Sequence, residues 1–147
     1  MSFQNLLVPL DFSDNANLAL RLAVSLARNG AARITLLHVG VAPGVALDLG
    51  GYGMPIPPTL LELHEKVAHE QALQLDRIAR AHIPEDVTWT AVVREGDAVE
   101  TILDVAKDGY DLLVMGTHGR RGLERLVLGS VTERVLRAAP IPVLVTR

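Results

Sequence analysis

Met115-Gly116-Thr117-His118-Gly119-Arg120-Arg121-Gly122-Leu123-Glu124-Arg125-Leu126-Val127-Leu128-Gly129-Ser130-Val131-Thr132 is the stretch that decides how this 147-residue chain folds. It continues the apolar run 111–115 and leads into a short amphipathic segment, 130–138. A buried strand is thus joined to a helix through a loop rich in glycine and arginine. Two residues separate Gly116 from Gly119, and nine separate Gly119 from Gly129, which Ser130 follows at once. A strand, a glycine loop and a helix start carrying a hydroxyl together make a place where backbone N–H groups can gather around phosphate. A nucleotide is the first ligand this chemistry suggests.

Working outward, strands and helices alternate. Residues 6–10 (L-L-V-P-L) are a continuous apolar run, as expected for a strand covered on both faces. Asp11-Phe12-Ser13-Asp14 supplies helix-capping groups. Leu18, Leu22 and Leu26, with Ala19, Ala23 and Ala27 beside them, make the apolar stripe of a helix ended by Asn29-Gly30. Residues 33–39 read as a second strand. Residues 40–58 form a long connection with Gly50, Gly51 and Gly53 around Tyr52, and loops of that length tend to be functional or mobile. A helix follows over 59–82, with Val67, Ala68, Ala72, Leu75, Ile78 and Ala79 inward. Residues 87–94 alternate, which predicts an edge strand with one face less buried. Gly96-Asp97 opens a helix with Val99, Ile102, Leu103 and Ala106 inward. The strand 111–115, the helix 130–138 and a last strand at 143–145 complete one domain over 1–147. This order calls for a parallel sheet with helices on both faces, an α/β Rossmann-like fold.

Composition narrows the function. Hydrophobic residues make up 49% of the chain, so it has the means to bury a core. It has no cysteine, which removes disulfides, thiolate metal sites and cysteine nucleophiles. A net charge of −3 argues against general nucleic-acid binding. No leader is visible at the N-terminus, and no apolar run approaches the roughly 20 residues needed to cross a bilayer. The expectation is a soluble cytoplasmic protein with no membrane partner.

The chain resembles the universal stress protein family, in its ATP-binding branch, over essentially its whole length. The resemblance is carried by L-L-V-P-L-D-F-S at the start, H-V ending the second strand, R-E-G-D before the third helix, and D-L-L-V-M-G-T-H-G-R-R-G. The family's nucleotide motif, G-x2-G-x9-G-[S/T], falls on Gly116, Gly119, Gly129 and Ser130 without a change of spacing. The resemblance implies a five-stranded parallel sheet in the order 3-2-1-4-5. That order makes the first and fourth strands a topological switch point, and ligands of open α/β sheets bind beyond the strand C-termini there.

Site residues follow from the motif and the resemblance together. Gly116 and Gly119 let the backbone approach phosphate and permit positive φ. Gly129, Ser130, Val131 and Thr132 form a helix start whose N–H groups, with the two hydroxyls, can donate to phosphate. The plainer reading of the same residues is a tight turn followed by a serine N-cap. Pro9 and Asp11 match family positions near base and ribose, although Asp11 could equally serve to cap the helix after it. Val39 matches a position giving backbone contacts and an apolar wall to adenine, and it is also an ordinary core strand residue. Met115 is placed beside the base or ribose recess. Arg120, Arg121 and Arg125 could pair with phosphate or form a solvated basic face, and Thr117 and His118 have no assigned role.

Three other signals fail on geometry. His64-Glu65-x-x-x-His69 is one residue too long for a zinc motif, because five residues turn a helix by about 500°. Both histidines are therefore expected at the surface. Gly50 to Gly53 is no Walker loop, having no Lys-Ser or Lys-Thr after it, and reads better as a flap near the crevice. Gly116 to Gly122 lacks the G-x-G of a dinucleotide fingerprint. The last strand would be a short apolar sheet edge, which the family covers with the same strand of a second subunit, so a homodimer through residues 142–147 is expected. The reading is a nucleotide-responsive stress and signalling homodimer that binds ATP with Mg²⁺ and uses occupancy to alter its dimer or a partner surface. The alternative is a slow ATPase or a nucleotidyl or phosphoryl transferase using the same site, for which no residue offers itself as the group that positions water.

Overall fold

The computed structural model describes residues 3–41, 57–117 and 128–146. Five parallel strands, β1 (Asn5–Pro9), β2 (Arg33–Gly40), β3 (Trp89–Glu95), β4 (Leu112–Gly116) and β5 (Val143–Thr146), lie in the order β3-β2-β1-β4-β5. Between them run α1 (Asp14–Gly30), α2 (Pro58–His82), α3 (Ala98–Val105) and α4 (Ser130–Ala138). The expected sheet order is the observed one, and β3 is indeed an edge.

Strand residues alternate between two apolar layers, which is why β1 and β4 read as apolar runs and β2 is buried over most of its length, Thr35 and His38 included. Leu6, Val8, Ile34, Leu36, Leu112 and Val114 face α1 and α2. Leu7, Leu37, Leu113 and Met115 face α3 and α4. The helices that follow β1 and β4, α1 and α4, therefore lie on opposite faces, which makes this pair of strands the switch point.

The sheet's pairings are uneven. β2 and β3 pair from Ile34 with Trp89 through Gly40 with Glu95. β1 and β4 pair only at Leu6 with Leu112 and Leu7 with Leu113. At the N-terminal end of this seam Asp111 fastens β1: the Gln4 N–H donates to its Oδ2 at 2.7 Å, and the Asn5 N–H reaches its Oδ1 at 3.1 Å. The ladder between the two strands ends at Leu7 and Leu113. The seam is thus stitched at the N-terminal end of the strands, and the crevice of a switch point lies beyond their C-terminal ends.

Two inward helix stripes differ from expectation. In α1 the buried stripe is Ala16, Ala19, Leu20, Ala23, Val24 and Ala27, whereas Leu18 is exposed and Leu22 and Leu26 only flank the core. Small alanines let the helix lie close to the sheet, so the stripe centres on them. Asn29-Gly30 ends the helix as expected, Gly30 being its last residue. The left-handed residue is Ala31 at φ 51°, and the Ala32 N–H closes the turn on Ala27 O at 3.1 Å. In α2 only Leu75 and Ala79 are buried, while Val67 and Ala72 are exposed. Twenty-five residues make a helix about 37 Å long, against about 23 Å for the seven-residue β3 beside it, so only its C-terminal part reaches the core. Among the described residues no helix is long and apolar enough to cross a membrane.

Candidate functional site

Two strand ends frame the crevice. On the β1 side, Pro9 is the last strand residue and pairs with Leu37 of β2. The chain then turns through Leu10, whose N–H donates to Leu37 O at 2.8 Å, into Asp11, Phe12 and Ser13. Ser13 is the N-cap of α1, its Oγ accepting from the Ala16 N–H at 3.2 Å. Asp11 does not cap the helix itself. Its Oδ1 accepts from the Ser13 N–H at 3.1 Å and from the Ser13 hydroxyl at 2.5 Å, so it braces the capping residue. The carboxylate is half-buried at the mouth of the crevice.

On the β4 side, Gly116 ends the strand, and a tertiary contact explains the glycine. A Cβ there would lie 2.6 Å from the Asn15 carbonyl oxygen and 2.8 Å from its carbon. The first turn of α1 passes directly over this backbone. The sequence reading assigned Gly116 to phosphate approach and positive φ. The observed reason is the close approach of α1, and Gly116 is not among the described glycines with positive φ.

The start of α4 is tied to the same strand end by two bonds, and a third ties that end to β5. The Gly129 N–H donates to Thr117 O at 2.7 Å, the Thr132 hydroxyl donates to Gly116 O at 2.9 Å, and the Thr117 N–H donates to Thr146 O of β5 at 3.0 Å. Thr117, unassigned from sequence, is therefore the buried knot that joins β4, β5 and α4. The Thr132 hydroxyl, expected to face phosphate, is turned inward and buried, and it fixes the helix to the strand.

Gly129, not Ser130, is the N-cap of α4, with φ −60° and ψ 144°, and no side chain caps the helix. The first intrahelical bond runs from the Glu133 N–H to Gly129 O at 2.9 Å. The N–H groups of Ser130, Val131 and Thr132 thus precede any intrahelical acceptor, at the positive end of the helix dipole. Ser130 and Val131 are exposed. The carboxylate of Glu133, in the same first turn, is drawn down the helix by Arg137 at 2.9 Å. Among the described residues these three N–H groups have no acceptor, and a helix start of this kind has the chemistry to receive an anion.

The remaining predicted residues divide. Val39 lies on β2, half-buried against the α3 and α4 layer, and Met115 is buried in that same layer. Gly119, His118, Arg120, Arg121 and Arg125 lie outside the described residues, as do Gly50, Gly51, Tyr52 and Gly53. His64 differs from expectation: it is half-buried, with Nε2 2.7 Å from Glu95 Oε1 at the end of β3, while His69 is exposed as expected. Among the described residues no group of three His, Asp or Glu side chains is placed to hold a metal ion. Sequence reasoning missed Phe12, a bulky residue with φ 65° beside Asp11, and its stacking partner His38. Nothing in local propensity marks either one.

Comparison with known proteins finds the same fold. Residues 2–147 match the universal stress protein family. The chain is 30% identical to universal stress protein MJ0577 of Methanocaldococcus jannaschii, over 99% of this chain and 95% of that one. It is 31% identical to universal stress protein YxiE of Bacillus subtilis, over 99% of both. The solved structure of MJ0577 superposes with a TM-score of 0.81, at 29% identity, over 99% of this chain and 96% of that one. A universal stress protein solved in complex with cAMP shares the fold, with a TM-score of 0.64 at 22% identity, over 100% of this chain and 98% of that one.

Proposed function

The chain belongs to the universal stress protein family, and we propose that it works in the family's ATP-binding branch, as a cytoplasmic, nucleotide-responsive stress and signalling homodimer. One observation carries this reading: the uncapped first turn of α4, bonded to the end of β4, opens beside the crevice that also receives Asp11. The N–H groups of Ser130, Val131 and Thr132, the Ser130 hydroxyl, and Gly119 of the same motif hold the phosphates. Gly116 and Gly129 shape the turn. Pro9, Asp11, Val39 and Met115 border the nucleoside, with the Asp11 carboxylate accepting from a ribose hydroxyl or the adenine amino group. Mg²⁺ enters with the triphosphate, since this ion keeps several waters and needs few protein ligands.

A homodimer is supported by the sheet's far edge. β5 is four residues long, follows α4 at the rim, and leaves all four residues half-buried. Pairing with the same strand of a second copy would cover it. Nucleotide occupancy and dimer surface would then be linked through Thr117, which bonds both α4 and β5.

Equilibrium binding of ATP, ADP and AMP, with and without Mg²⁺, tests the reading. ATP binds to the wild type, and Gly129→Val, still folded by circular dichroism, loses it. No binding by the wild type, or unchanged binding by the variant, would sink the proposal. A monomeric mass in solution at micromolar concentration would remove the dimer.

A further inference from the structure

The turn after β1 is held in a conformation that its sequence does not favour. Phe12 has φ 65°, a region glycine enters freely and a bulky side chain avoids. Its ring stacks on that of His38, with centroids 4.2 Å apart and planes 24° from parallel. His38 belongs to the neighbouring strand β2 and is 5% exposed. Its Nδ1 lies 2.7 Å from Leu10 O, so in the tautomer that donates there the imidazole plane is fixed by the same turn. Leu10 and Phe12 flank Asp11. One buried side chain from the next strand therefore grips the chain on both sides of the carboxylate, which reaches forward to Ser13.

If the fold alone shaped this turn, glycine at position 12 would do it without strain. An aromatic ring held there by a second ring points to a role for the stack. We propose that Phe12 and His38 are positioning residues: their stack fixes the direction of the Asp11 carboxylate toward the nucleoside part of a bound nucleotide. This rests on the nucleotide reading above and adds to it the device that sets nucleoside affinity apart from phosphate affinity. The proposed phosphate donors lie on α4, whereas the stack lies at the ends of β1 and β2.

A double-mutant cycle on the full chain tests it, with ATP and inorganic tripolyphosphate as probes. Phe12→Gly, which accepts φ 65°, lowers ATP affinity about tenfold and leaves tripolyphosphate affinity unchanged. In an Asp11→Ala background the same substitution changes ATP affinity by less than about twofold, because no carboxylate remains to be aimed. Phe12→Leu, which keeps apolar bulk without a ring to stack, gives the same pattern and replaces Phe12→Gly should that variant not fold. Additive losses in the double variant, equal losses for both probes, or no loss in the single variants overturn the proposal. A wild type that binds no ATP overturns the nucleotide reading first. A wild type that binds while the losses add overturns the stack alone.

Discussion

The two helices that start at the crevice begin in opposite ways. α1 starts at Ser13, whose Oγ takes an orphan N–H and whose own N–H and hydroxyl are taken by Asp11. α4 starts at Gly129, which brings no side chain, and its stabilising bonds run backward to Thr117 and Gly116 instead of into the helix end. A side-chain cap at α1 uses locally the donors that α4 keeps available. The same backbone feature, a helix N-terminus at a switch point, is thus consumed by folding in one case and left open to the proposed ligand in the other. What separates them is whether the capping residue has a side-chain oxygen.

The largest expected effect comes from forcing the two starts apart. Gly116→Val puts a branched side chain where a Cβ already meets the Asn15 backbone at 2.6 Å. It should cost about 3 kcal/mol of folding free energy, read as a lowered denaturant midpoint. An unchanged midpoint would mean that the first turn of α1 yields and that the close approach is incidental. The second effect comes from making α4 resemble α1. Gly129→Asp fits the observed φ and ψ, offers the helix a capping carboxylate and adds a negative charge. Stability should rise by a few tenths of a kcal/mol. ATP affinity should fall about tenfold, or about 1.4 kcal/mol, in titration calorimetry. Unchanged affinity would erase the distinction between the two helix starts. The smallest effect comes from making α1 resemble α4. Ser13→Ala removes its cap and should cost about 1 kcal/mol in thermal or denaturant unfolding. A loss well below that would show that Asp11, not Ser13, secures the turn.

The sequence carries much of this difference, but unevenly. Apolar runs at Leu6, Ile34 and Leu112 announce buried parallel strands because both faces of the sheet are covered, and the glycine-loop spacing announces the start of α4. The strand order came from family resemblance, since periodicity does not say which strands are neighbours. Gly116 was visible as a motif glycine, yet its cause, the Asn15 backbone, is a tertiary contact that local patterns do not encode. The α1 stripe was found but centred on leucines, because periodicity gives a face and not the depth at which a helix sits. In α2 the inward set was extended too far, as a repeating pattern does not reveal where the sheet beneath it ends. Phe12 and His38 were read as parts of D-F-S and H-V with no role, since neither a positive φ nor a ring stack across strands leaves a mark in composition.

The short pairing between β1 and β4 also bears on the order of assembly. Asn5 and Asp111, at the foot of the seam, are 106 positions apart in the chain. β1 and β2, by contrast, are joined through α1 alone, and β4 and β5 through residues 117–142. Closing the seam therefore carries the greatest loop entropy for very few ladder bonds, which places it late in folding. Contacts formed that late lie mostly beyond the transition state, so strengthening them slows unfolding more than it speeds folding. A molecule lodged across the seam would then act as a brake on unfolding, lengthening the life of the folded chain while leaving its rate of formation nearly untouched.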